Sequence, residues 1–254
     1  MLKDVYEKYS LTIEDIYFAD KGQKSKVDIV RYFQYHEDDL KNIKTPFSTN
    51  IINLNISNEE IFSKFRKSIK SEIHQAVKNH HVMTNLYYNP TVDTVDKFCL
   101  YYNSIAFIKK LAYANKSKLL RLKENILISN AVFDENIVVW HVYIFDTDRI
   151  RLLYSCSMQV KETELFRIVS KANKLLHYED IKSANKKEYK IFDFGGISLV
   201  DDKVAGIDQF KLGFSKDIET TYHFIIGNTF SGKVGLFLFN FSNRIKNWKL
   251  ILKL

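Results

Sequence analysis

Cysteine is nearly absent. Cys99 and Cys156 are the only two, with no CxxC pair and no histidine at ligand spacing, which excludes a disulfide scaffold and a structural zinc site. Proline is equally scarce, at Pro46 and Pro90. Glycine is missing from most of the chain: Gly22 is the only one before Gly195, and the other seven fall between 195 and 235. Tight turns and close backbone approaches are therefore expected in the last 60 residues. No run approaches the roughly 18 apolar residues of a membrane span. Met1 to Asp20 mixes acidic, aromatic and basic groups in place of a leader's charged and apolar regions, so the chain is expected in the cytoplasm. No block of five like charges occurs, and no internal repeat or low-complexity segment.

What is present is core-forming material: 254 residues, 46% hydrophobic and 14% aromatic, enough for one large domain or two packed ones. The net charge of +8 is dispersed over 38 lysines and arginines instead of being gathered in one segment. That dispersal fits an anionic small ligand at least as well as nucleic acid.

Two helices are legible in the N-terminal half. The capping-box pattern Ser57-Asn58-Glu59-Glu60 opens one that carries Ile61, Phe62, Phe65, Ile69, Ile73 and Val77 on one stripe to about residue 80. A second follows Pro90 and runs from about 91 to 110. Residues 28–36 and 47–56 read as strands. The period then changes to alternation at 125–133, 136–145 and 150–158, separated by Asp134-Glu135-Asn136 and Asp146-Thr147-Asp148, which predicts an antiparallel meander. In it Ile137, Val139, His141 and Tyr143 share a face. A helix at about 172–187, a short strand 190–194 closing in Gly195-Gly196, and strands at 221–227, 233–240 and 247–252 complete an α+β order with a mixed sheet.

Asn173-Lys174-Leu175-Leu176-His177-Tyr178-Glu179-Asp180-Ile181-Lys182, followed by Tyr189-Lys190-Ile191-Phe192-Asp193-Phe194-Gly195-Gly196, resembles the central helix and strand of Fem-like acyltransferases in the GNAT superfamily. Gly206-Ile207-Asp208-Gln209-Phe210-Lys211-Leu212-Gly213-Phe214 is similar to the family's short helix. The resemblance covers residues 121 to about 240. It implies a GNAT-like mixed, mostly antiparallel sheet flanked by helices, divided into a reduced GNAT-like half at 1–120 and an acyltransferase domain at 121–254.

The resemblance also implies chemistry. An amine attacks a thioester directly, so the protein positions two reactants and stabilises an oxyanion. The pantetheine arm of acyl-CoA would lie between strands 150–158 and 190–194, with the backbone of Ser157, Gln159 and Val160 contacting its amides. The usual glycine-rich pyrophosphate loop is missing from 159–173. Its expected substitute is the N-terminus of the 172–187 helix with Lys171, Asn173 and Lys174, and Lys211 as a second phosphate partner.

His141 and Asp193 are the candidate catalytic groups, against plainer readings as a packed strand histidine and a buried, hydrogen-bonded carboxylate. His177, Tyr178 and Tyr222 are candidates for the acceptor pocket, against packing roles. Cys156, with no neighbouring base, reads as a buried thiol. No residue set is read as a metal site. The expected activity is an N-acyltransferase moving an acyl group from coenzyme A to a nucleotide-linked amino sugar for bacterial surface polysaccharide. The alternatives are a Fem-type, aminoacyl-tRNA-dependent peptidoglycan aminoacyltransferase and a non-catalytic nucleic-acid or scaffold protein.

Overall fold

The computed structural model describes residues 1–23, 25–36, 45–198 and 205–238. Contacts gather the chain into two compact units, Met1–Phe47 with Thr220–Leu254 and Ser48–Glu219. The expected division after residue 120 falls instead inside a short helix of the second unit, α4 (Lys116–Arg121).

In the first unit, β1 (Leu2–Lys8) and β2 (Leu11–Tyr17) make an antiparallel hairpin whose turn residues, Tyr9 and Ser10, both have φ above 50°. That is the backbone twist a two-residue hairpin loop requires. β3 (Ile29–Tyr35) runs parallel to β2, and β10 (Ile218–Gly227) runs antiparallel to β3. Ile16, Val30, Tyr32, Tyr35 and Phe224 form the core of this unit. Neither β1 nor β2 was expected from the sequence, because charged residues interrupt their alternation.

Residues 230–238 are helical, which corrects the expected strand at 233–240 over its described part; the expected strand at 247–252 lies outside the described residues. A short apolar run satisfies both periods, and here close packing decides. Gly232 lies against the backbone of Asp28 and Gly235 against Leu11, so the helix approaches the strands by its glycine side. A methyl group at 232 would overlap the Asp28 carbonyl. Gly232→Ala is expected to destabilise this unit by roughly 1–3 kcal/mol, read as a lowered urea midpoint for its transition.

The second unit carries β4 (Thr45–Asn53) from Ser48 onward, β5 (Met83–Tyr88), β6 (Ile126–Phe133), β7 (Asn136–Phe145), β8 (Arg149–Ser157) and β9 (Ile191–Gly196), in the sheet order β4-β9-β8-β7-β6-β5. The expected meander is β6-β7-β8, and β5 adds to its outer edge. All pairings are antiparallel except β8 with β9. The expected helix at 57–80 is two, α1 (Asn58–Lys64) and α2 (Lys67–Lys78). Phe65 and Arg66 break it in extended conformation, where the Arg66 N–H bonds Gly213 O at 2.8 Å. α3 (Val92–Lys109) matches its expected span, closely followed by α4.

The long helix α5 spans Thr163–Lys186 and packs on α2 and on the meander, burying Val169, Ala172, Leu175, Leu176, Ile181 and Ala184. It begins nine residues before the expected start at 172, since Ile168 and Val169 continue the buried stripe toward its N-terminus. α6 (Ala205–Lys211) follows β9.

Candidate active site

The site begins with a strand pair that parts. β8 and β9 are in register only at Arg149–Ile191, Ile150–Phe192 and Arg151–Asp193, after which the ladder ends while both strands continue. Two irregularities sit at the parting. β8 bulges between Leu152 and Tyr154 against β7, and Gly195 adopts φ +76° with its Cα hydrogen side toward the Leu152 carbonyl. A side chain at 195 would be strained by that backbone alone.

Past the bulge, Met158 N–H bonds Val138 O, so Ser155 and Ser157 turn their backbone groups to the other edge of β8, where the ladder with β9 has ended. A cavity of about 450 Å³ opens there. Its walls come from β8 (Leu152, Ser155, Cys156, Ser157), α5 (Asn173, His177), β9 (Phe194), α6 (Gly206, Ile207, Phe210, Lys211) and the end of α3 (Lys109).

Behind His177 lies a polar network in which His141, Tyr143 and Asp180 are fully buried and Asn173 reaches the cavity wall. The His177 ring stacks on that of His141 with centroids 4.0 Å apart. His141 Nδ1 meets Asp180 Oδ2 at 2.8 Å, and its Nε2 meets Asn173 Oδ1 at 2.8 Å. The Tyr143 hydroxyl donates to the same Asp180 oxygen at 2.7 Å and lies 3.2 Å from His177 Nδ1.

A phenol has one proton to give. Since Tyr143 gives it to Asp180, its oxygen accepts from His177 Nδ1–H, which leaves His177 Nε2 as the ring nitrogen with a free lone pair. Burial holds the His177 pKa well below the ordinary histidine range, with His141 and Lys211 adding to the effect. Burial likewise pushes Tyr143 well above the ordinary phenol range, with Asp180 adding to it. His141, His177 and Asp180 are close enough to share a cation. Both ring nitrogens of His141 are already engaged by Asp180 and Asn173, and the chain of hydrogen bonds from His177 through Tyr143 to Asp180 and His141 suits a proton relay.

The sequence-derived candidates divide by place. Ser157, Asn173, His177 and Lys211 line the cavity. His141 is fully buried one layer behind, with both ring nitrogens bonded. Asp193 is fully buried as well: its Oδ2 takes Arg149 at 3.0 Å and its Oδ1 accepts the Gly195 N–H at 2.7 Å. Gln159 folds back to donate to Ser157 O at 2.9 Å, and Val160 packs on the core.

The proposed phosphate cradle at the start of a 172–187 helix is corrected by the structure. Lys171, Asn173 and Lys174 stand mid-helix, where backbone amides are consumed by i→i−4 bonds. Lys171 donates to His80 at 3.2 Å, and Lys174 pairs with Glu72 at 2.6 Å. Tyr178 packs on Phe62 with centroids 4.8 Å apart, on the side facing α1. Tyr222 belongs to the first unit, in register with Tyr35.

Sequence reasoning missed Lys109, Ser155, Tyr143 and Asp180. The signal for the last was available, because Asn173, His177 and Asp180 follow an i, i+4, i+7 spacing on one helix face. Cys156 is a buried thiol pushed up to about 12 by its enclosure, as its lack of a neighbouring base implied. Lys211 donates to Gly196 O, and burial lowers its pKa while Asp208 and Asp193 oppose that shift.

No family model matches the chain, and no curated sequence matches it. Solved structures do resemble it in fold. FemX aligns at TM-score 0.55 and 12% identity over 71% of this chain, which spans 62% of the FemX chain. The C-terminal domain of a putative lysylphosphatidylglycerol synthetase from Agrobacterium fabrum aligns at TM-score 0.58 and 9% identity, over 92% of this chain and 87% of that one. L-PGS from Bacillus licheniformis aligns at TM-score 0.55 and 10% identity, over 89% and 81%. The expected mixed, mostly antiparallel sheet flanked by helices is the fold observed.

Proposed function

We propose that the protein is an acyl-group transferase in which an activated carbonyl enters the cavity between β8 and β9 and is attacked there by an amine. The parting of two parallel strands over a cavity floored by a neutral histidine carries this reading. The free edge of β8 offers the Ser155 and Ser157 amides to the donor and to the developing oxyanion. His177 Nε2 takes the amine proton as the C–N bond forms. The bond to the carrier then breaks, and the carrier leaves with a proton.

Coenzyme A as carrier and a nucleotide-linked amino sugar as acceptor remain the pairing to try first, with Lys109 and Lys211 as the cations of the cavity wall. One observation favours an aminoacyl ester on tRNA instead. α5, the helix that follows β8, opens on Glu162-Thr163-Glu164 with no side-chain cap, which sets carboxylates where a diphosphate would meet the first-turn amides. A fold shared with a protein whose name specifies a lysyl group agrees with it.

The test is transfer of radiolabelled acyl group from acetyl-CoA to a panel of nucleotide-linked amino sugars, run beside transfer from aminoacyl-tRNA to amine acceptors. Turnover from either donor, lost when Ser155→Pro removes an edge amide, is the expected result. No transfer from both donor classes overturns the reading.

A further inference from the structure

α3 is apolar on two faces, and the described residues cover only one of them. Val95, Phe98, Cys99, Ile105 and Ala106 are buried, which accounts for the helix's attachment to the sheet. Yet Leu100 and Phe107 fall at i and i+7 on the opposite side, 79% and 74% exposed, with Ile108 beside them at 67%, and Leu111, just past the helix cap, is 53% exposed. A soluble helix ordinarily turns charged groups outward at such positions. Tyr113 continues the exposed patch beyond the helix.

The charge around this stripe has one sign. From Lys97 to Lys123 the sequence holds seven lysines and arginines and no aspartate or glutamate. The two carboxylates of α3, Asp93 and Asp96, lie in its first turns at the other end, paired with Lys97 at 2.7 Å and Lys116 at 2.6 Å. Lys109 and Lys110 therefore border the apolar stripe at the end of α3 opposite its two carboxylates. Lys110 is the left-handed cap of the helix at φ 54°, a position where glycine would relieve strain. No helix of the described residues is long and apolar enough to cross a membrane.

We propose that this face of α3, with its C-terminal turn, docks on the surface of an anionic lipid bilayer. The large aliphatic groups would sit at the level of the acyl boundary, and the flanking lysines at the headgroup phosphates. Nucleic acid would use the same cations but leaves Leu100, Ile108 and Leu111 without a partner, since their branched side chains offer bases no planar face. Lys109 also lines the cavity, so docking sets the cavity mouth at the bilayer surface. The inference stands apart from the reaction assigned to the cavity, because its test measures binding alone.

Flotation of the full chain with phosphatidylglycerol vesicles and with phosphatidylserine vesicles is expected to give equal binding, and phosphatidylcholine vesicles to give at least tenfold less. Phe107→Ser with Leu111→Ser is expected to abolish flotation. Lys110→Gly relieves the left-handed backbone and removes one cation, so it is expected to raise thermal stability while weakening binding about fivefold. Equal binding to phosphatidylcholine overturns the proposal. So does binding unchanged by both variants, a dimer in solution that the serine pair dissolves, or retention of tRNA that the serine pair releases.

Discussion

Replacing His177 by asparagine is expected to slow acyl transfer about 10²–10⁴-fold, the range seen when a positioned general base is removed. The residue lines the cavity, is kept neutral by burial, and has its Nδ1 proton fixed by the Tyr143 oxygen. Tyr143→Phe is expected to give a smaller loss, since it leaves the histidine in place but frees its tautomer. The pH profile separates a base from a merely packed ring. With its pKa held well below the usual value, His177 remains a base through the ordinary histidine range, so the wild-type rate, scaled to the fraction of acceptor amine that is unprotonated, is expected to stay level as pH falls past about 6.5. A rate that falls with an ordinary histidine midpoint would assign the proton to another group.

Stability carries an independent signature of the same residue. A folded-state pKa below the unfolded one means that the unfolded chain binds more protons in the interval between them. The stability contributed by neutral His177 is whole above about pH 6.5 and declines as pH drops below that, by at most about 1.4 kcal/mol per pH unit. His177→Asn should flatten that part of the stability curve. An unchanged slope in the variant would show that burial does not hold this ring neutral.

The second unit was the legible part of the chain, for a physical reason. β6, β7 and β8 are consecutive, separated by clear turn residues, and paired with their neighbours in sequence, so local pattern and final pairing agree. β9 and α6 were placed through their Phe-Asp-Phe-Gly-Gly and Phe-Lys-Leu-Gly-Phe segments. The first unit joins β1, β2 and β3 to β10, about 185 residues away in sequence, and nothing local in Ile218–Gly227 announces that partner. The site divided in the same way. His141 and Tyr143 were on one strand face by alternation, but alternation does not say whether a histidine faces a cavity or a helix. Here the answer depends on α5, whose Asn173 and Asp180 occupy both nitrogens of His141. Reading α5 as starting at 172 placed lysines at a helix end that is in fact its middle.

The largest effect on folding is expected at Arg149. The residue is 3% exposed, and its guanidinium reaches Asp193 at 3.0 Å and Glu219 at 2.6 Å, tying the first rung of the β8–β9 ladder to Asp193 on its last. Arg149→Met keeps much of the volume but withdraws the cation from beside a carboxylate that is fully buried. Removing one partner of a buried ion pair costs about 3–5 kcal/mol, against about 5–15 kcal/mol for the whole stability of an ordinary domain. Urea denaturation should show the midpoint falling by a large fraction.

Asp193 also holds the Gly195 turn through Oδ1, so aspartate-to-leucine would damage the turn as well as the pair. Arg149→Met combined with Asp193→Asn removes the buried negative charge and keeps an acceptor for the Gly195 N–H. The double variant is expected to recover more than half of the loss. If the double variant is as unstable as Arg149→Met alone, charge burial is not the origin of the cost, and the packing of the arginine stem between the strands is. If it recovers, Asp193 acts as a structural clamp on the strand parting, and its contribution to transfer is through the shape of the cavity that opens beyond it.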